Sequence, residues 1–397
     1  MDIVERFKSY VEVDTKAGEP KEDSASDPKI LNLSEKLLEE LQKLNPDEIS
    51  VNRYGIVDAK FKGTGDKPRI ALLAHRDTSP QASDTNVKTK IDVYEGKDIV
   101  LGDGKVLSEK EFPLLAHSLH HSIIHSDGTT LLGGDDKAGI AIIRDSLTDI
   151  LQNKIPHRPL EIIFTTDEEI GVDAEHVSRE IVKAKYGYTI DGGDNEAVNI
   201  ETFTAKSRKV HIKGKSIHPG EAKDKLVSAV NVAIDFQNAL PKYLRPEHTD
   251  NKEPFYHLCS LTGNEEHAEM DYIIRSFDEQ EIQRLASLAL FTARRRNELF
   301  KDDIIQVEIA DQYHNRKTIL DQYPEIVKER KDAYQKLNRP AIEVAVRGGT
   351  TGSQLSFKGL PCPNLGTGDY NRHGPYEYVD IDQRKQRSLV VKELRKA

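Results

Sequence analysis

Five short motifs rich in Asp, Glu and His are spread over the 397 residues and could together form one metal centre. They are AHRDTSP (74–80), GGDDKAG (133–139), TTDEEIG (165–171), IDGG (190–193) and RHGPYE (372–377). Three of them end the apolar runs RIALLAH, LEIIFTT and YGYTI, which are typical of buried strands. Because ligands of open α/β sheets bind at the carboxyl ends of strands, we expect the motifs to converge.

The first motif could supply a zinc ligand and the group that orients it. His75 and Asp77 lie two residues apart, so on a strand they face the same side and Arg76 faces away. Histidine binds zinc readily, and Asp77 could hold the other ring nitrogen of His75. A strand-end histidine beside an unrelated loop aspartate is the alternative, since the pair alone is a weak signal.

Two further motifs bring carboxylates. Asp135 and Asp136 open a predicted helix, where acids also serve as simple caps. The two glycines ahead of them permit tight turns, which fits Asp135 as a carboxylate shared by two cations. TTDEEIG crowds Asp167, Glu168 and Glu169 at a strand end, which is costly unless a cation lies among them. Solvated loop acids are the alternative for this motif.

The last two motifs complete the set of donors. Asp191 follows the YGYTI strand, and His373 lies in a polar loop. Each alone is a weak signal, but with His75, Asp135 and a carboxylate of TTDEEIG they make two histidines and three carboxylates. That set is sufficient for two zinc ions that share one carboxylate. The sequence therefore predicts a centre with two Zn²⁺ per subunit.

The segment HSLHHSIIH is a competing candidate for metal binding. It places His117, His121 and His125 at helical spacing. It contains no acidic residue and no glycine turn, and histidine content alone is a weak indication of a metal site. We therefore interpret it as a surface helix without a metal.

Alternation of helices and strands predicts an α/β fold with a mostly parallel sheet and helices on both faces. Helices are expected over 34–44 and 138–151, and strands over 70–74 and 160–165. Near residue 203 the pattern changes to an edge strand (SRKVHIK), a helix over 226–240, two strands joined by a polar turn, and a helix over 279–300. We predict a catalytic domain of residues 1–203 and 313–397, with a smaller α+β lid domain inserted at 204–312.

Composition excludes several classes of partner. The net charge is −10 and no Lys/Arg-rich run occurs, so nucleic acid is not expected as a partner. No apolar stretch is long enough for a bilayer, so no membrane association is expected. The amphipathic segment from Ile3 to Val11 is unlike a signal peptide, and two cysteines cannot form a disulfide framework. These features favour a cytoplasmic location.

The order and spelling of the motifs resemble the peptidase T family of co-catalytic zinc peptidases. The likeness covers nearly the whole chain and includes VEVDT, FYHL with DYIIRSFD, and RGGT followed by QLSFKGLPCPNL. The resemblance implies a cytoplasmic metallo-aminopeptidase that releases the N-terminal residue of tripeptides, with small peptides as its substrates. A related di-zinc dipeptidase, an amino-acid deacylase and a catalytically silent metal-binding member are the alternatives.

The resemblance also implies a role for individual residues. His75, Asp135 and Asp191 would bind one zinc, and Asp135, Glu169 and His373 would bind the other. Glu168 would be the general base, and Asp77 would orient His75. In the lid domain, His218 would help to stabilise the tetrahedral intermediate. Arg275 and Arg347 would contact the substrate.

Three positions depart from the family pattern. The family usually has a small apolar residue at Arg76, an aspartate at Thr351 and a histidine at Tyr376. Arg76 is expected to point away from the metals, and Thr351 to weaken amine recognition or the order of its loop. Tyr376 loses an imidazole, but none of the three removes a predicted zinc ligand. Edge strands in the lid domain favour a homodimer.

Overall fold

The computed structural model describes residues 1–194 and 196–396. The helices are α1 (Ile3–Val11), α2 (Ile30–Gln42), α3 (Gly134–Gln152), α4 (Asp173–His176), α5 (Ala229–Ala239), α6 (Glu279–Phe300), α7 (Lys317–Leu320), α8 (Pro324–Lys336), α9 (Thr351–Phe357) and α10 (Ile381–Leu394). The strands up to the middle of the chain are β1 (Glu48–Val51), β2 (Val57–Phe61), β3 (Ile70–His75), β4 (Thr89–Val93), β5 (Ile99–Val100), β6 (Val106–Leu107), β7 (Ser122–Ser126), β8 (Leu160–Thr165) and β9 (Tyr186–Ile190). The later strands are β10 (Ala197–Thr202), β11 (Thr204–Lys213), β12 (Phe255–Gly263), β13 (His267–Ser276), β14 (Ile305–Tyr313), β15 (Ile342–Val346), β16 (Asn364–Leu365), β17 (Asp369–Tyr370) and β18 (Tyr378–Asp380).

The chain divides into two compact units. The first comprises Met1–Ile200, Thr318–Val344 and Thr350–Ala397, and the second Glu201–Lys317 and Ala345–Gly349. The predicted insertion at 204–312 lies inside the second unit. The segment 345–349 was not expected there, and it joins this unit because the Phe203 N–H donates to the Val346 carbonyl at 3.2 Å.

An eight-stranded mixed sheet with the order β1-β2-β8-β3-β9-β16-β10-β15 forms the centre of the first unit. Strands β8, β3, β9 and β16 pair in parallel, whereas β1, β2 and β10 pair antiparallel with their neighbours. The predicted α/β class is therefore confirmed, and the sheet combines parallel and antiparallel pairs.

Helices cover both faces of this sheet, as the alternation of side chains along β3 shows. Ile70 and Leu72 belong to a core that includes residues of α1, α3 and α10. Ala71 and Leu73 face the opposite side, where they join a core with residues of α4 and α9. This alternation follows from the two-residue period of a strand, and it makes β3 buried on both faces.

The HSLHHSIIH segment is not a helix, so that prediction is wrong. Residues 122–126 form β7, which lies between β4 and β18 in a four-stranded sheet. Ile123 and Ile124 are buried there, and pairing with strands on both sides outweighs the helical spacing of the histidines. His125 contacts Asp92 at 2.9 Å and His121 contacts Asp380 at 2.7 Å. Neither histidine belongs to a metal-binding group among the described residues.

The second unit has its own sheet and its own core. Its sheet is antiparallel with the order β12-β13-β11-β14. Residues of α5 and α6, including Phe236 and Ile282, share a core with sheet residues such as Ile274. Strand β11 was predicted at an edge, but it pairs with β13 and β14 along its length, so this prediction is wrong. Its alternate residues Val210 and Ile212 are buried in the core, whereas Lys209 is exposed.

Within the described part of the chain, no helix is both long enough and apolar enough to cross a bilayer.

Candidate metal centre

Three elements of the first unit bring the candidate ligands to one edge of the central sheet. His75 ends β3, and Asp191 directly follows β9, which is the parallel neighbour of β3. Asp135 lies in the first turn of α3, where its φ of −85° and ψ of 102° are not helical. A Cβ atom on Gly139 would lie 1.9 Å from the Ile190 carbonyl oxygen, so only glycine lets α3 approach the end of β9.

Among the described residues, two groups of side chains could each hold a metal ion. They are His75, Asp135 and Asp191, and Asp135, Glu169 and His373, with the donor atoms of each group within 4.8 Å of one another. Asp135 is shared, because Oδ1 lies 2.9 Å from His75 Nε2 and Oδ2 lies 3.4 Å from His373 Nε2. His373 Nε2 also lies 3.1 Å from Glu169 Oε2.

The chemistry of these donors fits divalent cations. Asp191 Oδ1 and Glu169 Oε1 are buried and accept no hydrogen bond from any described residue. Burial raises the pKa of Asp191 to about 8, and the neighbouring Asp135 adds to the effect. Hydrogen bonds to Asp135 and Glu169 raise the pKa of His373 to about 10. The clustered negative charge of these carboxylates also attracts metal ions, for which carboxylates and imidazoles are ordinary ligands.

Glu168 lies beside both groups but belongs to neither. Its Oε2 is 4.0 Å from His75 Nε2, and its side chain is 17% exposed. Burial raises the pKa of Glu168 well above its ordinary value; His75 opposes this effect, and the charge of Asp191 adds to it. Its neighbour Glu169 contacts His373, so the two adjacent glutamates have different surroundings.

Asp77 holds the turn that carries both glutamates. Its Oδ1 accepts hydrogen bonds from the N–H groups of Asp167 and Glu168 at 2.8 and 3.2 Å, and Oδ2 accepts one from Glu169 N–H at 2.9 Å. The nearer partner of His75 Nδ1 is the Asp77 main-chain carbonyl at 3.0 Å, whereas the carboxylate lies at 3.6 Å. With Nδ1–H donating to that carbonyl, Nε2 is free to bind a metal.

Glu377 makes a similar set of contacts with the turn that carries Asp135. Its Oε2 accepts hydrogen bonds from the N–H groups of Leu132 and Gly133, both at 2.8 Å, and Oε1 accepts one from Asp135 N–H at 3.0 Å. The side chain is buried. Sequence reasoning assigned it no role, because a contact across more than 240 residues leaves no periodic signal.

Two more charged residues at the centre were not predicted. Arg372 Nη1 lies 3.8 Å from Asp135 Oδ2, and its position next to His373 in the RHGPYE motif was the available signal. Asp136 is completely buried and accepts hydrogen bonds from the N–H groups of His75 and Gly139 at 3.2 and 3.1 Å.

The three departures from the family pattern leave the candidate ligands in place. Arg76 is buried, and Nε donates to the Thr165 carbonyl at 3.1 Å. Its guanidinium also contacts Ser34 and Thr166. The other two residues have local partners: Thr351 Oγ1 donates to Asp173 at 2.5 Å, and the Tyr376 ring packs 5.0 Å from that of Phe112.

The predicted substrate contacts His218, Arg275 and Arg347 all lie in the second unit. His218 Nδ1 accepts a hydrogen bond from Gly220 N–H at 3.1 Å. Arg275 donates to the Ile274 carbonyl at 3.0 Å. The Arg347 guanidinium donates to Thr249 Oγ1 at 2.9 Å and to the Asn251 carbonyl at 3.0 Å, and it stacks on Phe203 and Phe255.

Comparisons with known proteins identify the family and agree with this fold. Residues 121–396 match the model of peptidase family M20/M25/M40. Peptidase T of a Geobacillus species is 39% identical over 399 residues, covering 99% of this chain and 97% of that protein. Peptidase T of Shouchella clausii is 40% identical over 393 residues, covering 98% of this chain and 96% of that protein. The chain therefore belongs to peptidase family M20/M25/M40 and, within it, to the peptidase T family.

A solved structure supports the fold. A tripeptidase from Staphylococcus aureus superposes with a TM-score of 0.79 at 22% identity, covering 99% of this chain and 97% of that chain. The superposition covers residues of both compact units.

Proposed function

We propose that the protein is a metallo-aminopeptidase that hydrolyses the N-terminal peptide bond of tripeptides and uses two zinc ions per subunit. One observation carries the proposal: two groups of metal ligands share Asp135 and lie beside Glu168, a carboxylate that belongs to neither group. Tripeptides as substrates are supported by the relatives named peptidase T and by the structural neighbour described as a tripeptidase.

The zinc ligands follow from the two groups. His75, Asp135 and Asp191 would hold one ion, and Asp135, Glu169 and His373 would hold the other. Bound zinc would polarise a peptide carbonyl and make a water molecule more acidic.

Glu168 is proposed as the general base. Its carboxylate would take a proton from the water whose oxygen forms a bond to the carbonyl carbon, and would pass that proton to the amine nitrogen as the C–N bond breaks. The hydrogen bond from Glu168 N–H to Asp77 supports this role, because it fixes the main chain at the base. The Asp77 carbonyl would keep His75 in the tautomer whose unprotonated Nε2 can bind a metal ion.

Three residues of the second unit are proposed to contact the substrate. His218 would help to stabilise the tetrahedral intermediate, and Arg275 and Arg347 would contact the bound peptide. The support for these roles is the resemblance of their motifs to the peptidase T family. For Arg347, the contacts with Thr249 and Asn251 also support a role in shaping its own loop.

A cytoplasmic location and a homodimer complete the proposal. Cys259 and Cys362 are both free thiols, which is usual in a reducing compartment. In the second unit, β12 and β14 are the outer strands of the antiparallel sheet, which leaves edges that a second copy could pair with.

The test compares the parent with Glu168→Gln after loading with zinc. We expect both proteins to bind two zinc ions, and we expect the rate of tripeptide hydrolysis to fall about 10²–10⁴-fold in the variant. Glu175→Gln, an exposed glutamate of α4, is the matched control and should retain the parent rate.

Three outcomes would change the proposal. Faster turnover of dipeptides or N-acyl amino acids than of tripeptides would favour the dipeptidase or deacylase alternative. Two bound zinc ions without hydrolysis in the parent would favour a catalytically silent protein. A parent that binds no zinc at neutral pH would overturn the metal centre.

A further inference from the structure

We propose that Glu377 is a positioning residue for the metal centre, because its carboxylate fixes the turn that carries the shared ligand Asp135. The inference rests on the di-zinc centre of the proposed function. Glu377 belongs to neither group of ligands. Its proposed role is to keep both groups assembled.

The Glu377 carboxylate accepts its hydrogen bonds from the main chain of that turn. Its two carboxylate oxygens accept three hydrogen bonds of 2.8–3.0 Å, from the N–H groups of Leu132, Gly133 and Asp135. The carboxylate and the turn are both buried, so water cannot replace Glu377 as the acceptor without rearrangement. A buried N–H group without a partner costs about 1–3 kcal/mol, which makes the turn dependent on this one side chain.

The turn itself cannot satisfy these donors. The first N–H groups of a helix have no acceptor within the helix, and Asp135 departs further from helical geometry. Gly133 has a φ of 83°, which favours glycine. A Cβ atom on Gly134 would lie 3.0 Å from Glu377 Oε1 and 2.7 Å from Val379, so the main chain approaches the carboxylate closely.

The position of Glu377 in its own motif links the two groups of ligands. It lies four residues after His373, and its N–H donates to the Gly374 carbonyl at 3.2 Å. One turn of RHGPYE therefore presents a ligand of one group and holds the main chain of the ligand that both groups share. Strand β18, which follows directly, anchors this turn by pairing with β7.

Asp77 supports the interpretation by analogy within the same molecule. Its carboxylate also accepts three main-chain hydrogen bonds, from residues 167–169, which include Glu168 and Glu169. Two acidic turns thus reach the centre, and each is held by a single buried carboxylate.

The experiment measures binding of Zn²⁺ alone, by competition with a chromophoric chelator, in the parent, Glu377→Gln and Glu377→Asp. Glu161→Gln is the matched control, because Glu161 is also a buried glutamate whose two oxygens accept a main-chain hydrogen bond, from Lys183 N–H. We expect Glu377→Gln to weaken both zinc-binding steps about 10–100-fold, the usual effect of losing a support of a metal ligand. Glu377→Asp keeps the charge and should recover part of the affinity.

A purely structural role would lower the thermal stability of Glu377→Gln and Glu161→Gln alike and leave zinc affinity unchanged in both; that result would overturn the inference. Weakening of only one binding step would also overturn it, because Asp135 serves both groups. If Glu377→Gln does not fold, Glu377→Asp is tested by the same criteria. If Glu377→Asp binds both zinc ions as tightly as the parent does, the inference is overturned. A parent that binds two zinc ions without cleaving peptides would contradict the proposed function and leave this test intact.

Discussion

At the metal centre, adjacent residues of the same chemical type differ in the partners that they contact. Glu168 and Glu169 are both glutamates on one turn, yet Glu169 Oε2 lies 3.1 Å from His373 Nε2, whereas Glu168 Oε2 lies 4.0 Å from His75 Nε2. The cause is the main chain between them, which Asp77 holds through both N–H groups. The proposed general base and the proposed metal ligand therefore lie on one loop.

Thr351 shows how a departure from the family pattern is accommodated. It stands where the resemblance leads us to expect an aspartate, and its hydroxyl donates to the buried Asp173. A carboxylate at 351 would face the carboxylate of Asp173, whereas the hydroxyl supplies the donor that an ionised Asp173 requires. In this chain Thr351 therefore stabilises Asp173 by a hydrogen bond. An aspartate at position 351 could not donate this hydrogen bond in its ionised form.

We predict that Thr351→Val destabilises the protein more at pH 8 than at pH 4. Burial raises the pKa of Asp173 to about 6, above the unfolded value of about 3.9, and the Thr351 hydrogen bond opposes that rise. Below pH 4 the folded carboxyl is protonated and needs the donor less. As the pH rises through 6 it ionises, so the cost should approach about 1–3 kcal/mol.

Urea unfolding of the parent, Thr351→Val and Thr351→Ser at several pH values provides the check. The serine variant keeps the hydroxyl and should follow the parent's pH dependence. A loss in Thr351→Val that is the same at pH 4 and pH 8 would show that the hydroxyl does not support an ionised Asp173.

At the scale of elements, the centre depends on how closely α3 approaches the end of β9. Asp135 opens the helix and Asp191 follows the strand, and Gly139 faces the carbonyl of Ile190 at the end of that strand. Any side chain at this position would push apart the two elements that carry ligands of the same group.

We predict that Gly139→Ala lowers stability by about 3 kcal/mol or more and weakens zinc binding at the same time. Its Cβ atom would meet the Ile190 carbonyl at 1.9 Å and the Asp136 carboxylate at 2.4 Å, and overpacking of that kind typically costs 1–3 kcal/mol. Gly348→Ala is the control, since its Cβ atom would have no neighbour closer than 4.0 Å. Denaturant unfolding should show lower stability and zinc titration should show weaker binding in Gly139→Ala. Both quantities should stay near the parent values in Gly348→Ala.

Sequence reasoning succeeded where an uninterrupted apolar run ends in polar residues. The run from Ile70 to Ala74 predicts a buried strand, and the polar residues that follow it abruptly could be placed at the edge of a sheet. It failed where pairing between distant strands decides the structure, as for β7 and for the interior position of β11. The Glu377 contacts were also beyond reach, because main-chain donors carry no residue-specific signal.

For the molecule as a whole, the two compact units have separate cores. The larger core includes Leu72 and Ile140, and the core of the second unit includes Phe236 and Ile274. Both groups of candidate metal ligands belong to the first unit, as do Asp77, Glu168 and Glu377. Metal binding should therefore act on the stability of one unit.

We predict that zinc raises the unfolding temperature of the first unit only. Zinc at a free concentration of 100 times the Kd of each site should stabilise that unit by about 2.7 kcal/mol per bound ion, because a ligand that binds only the folded state shifts the equilibrium by mass action. Calorimetry with zinc and with a chelator should show one transition that moves and one that does not. Phe236→Ala removes a core ring of the second unit and should lower the free energy of unfolding of that unit by about 3–5 kcal/mol. The temperature of the zinc-insensitive transition should therefore fall, and that of the other transition should stay the same. A single transition that shifts as a whole, with zinc and with Phe236→Ala alike, would mean that the two cores unfold together and that the metal centre stabilises the entire chain.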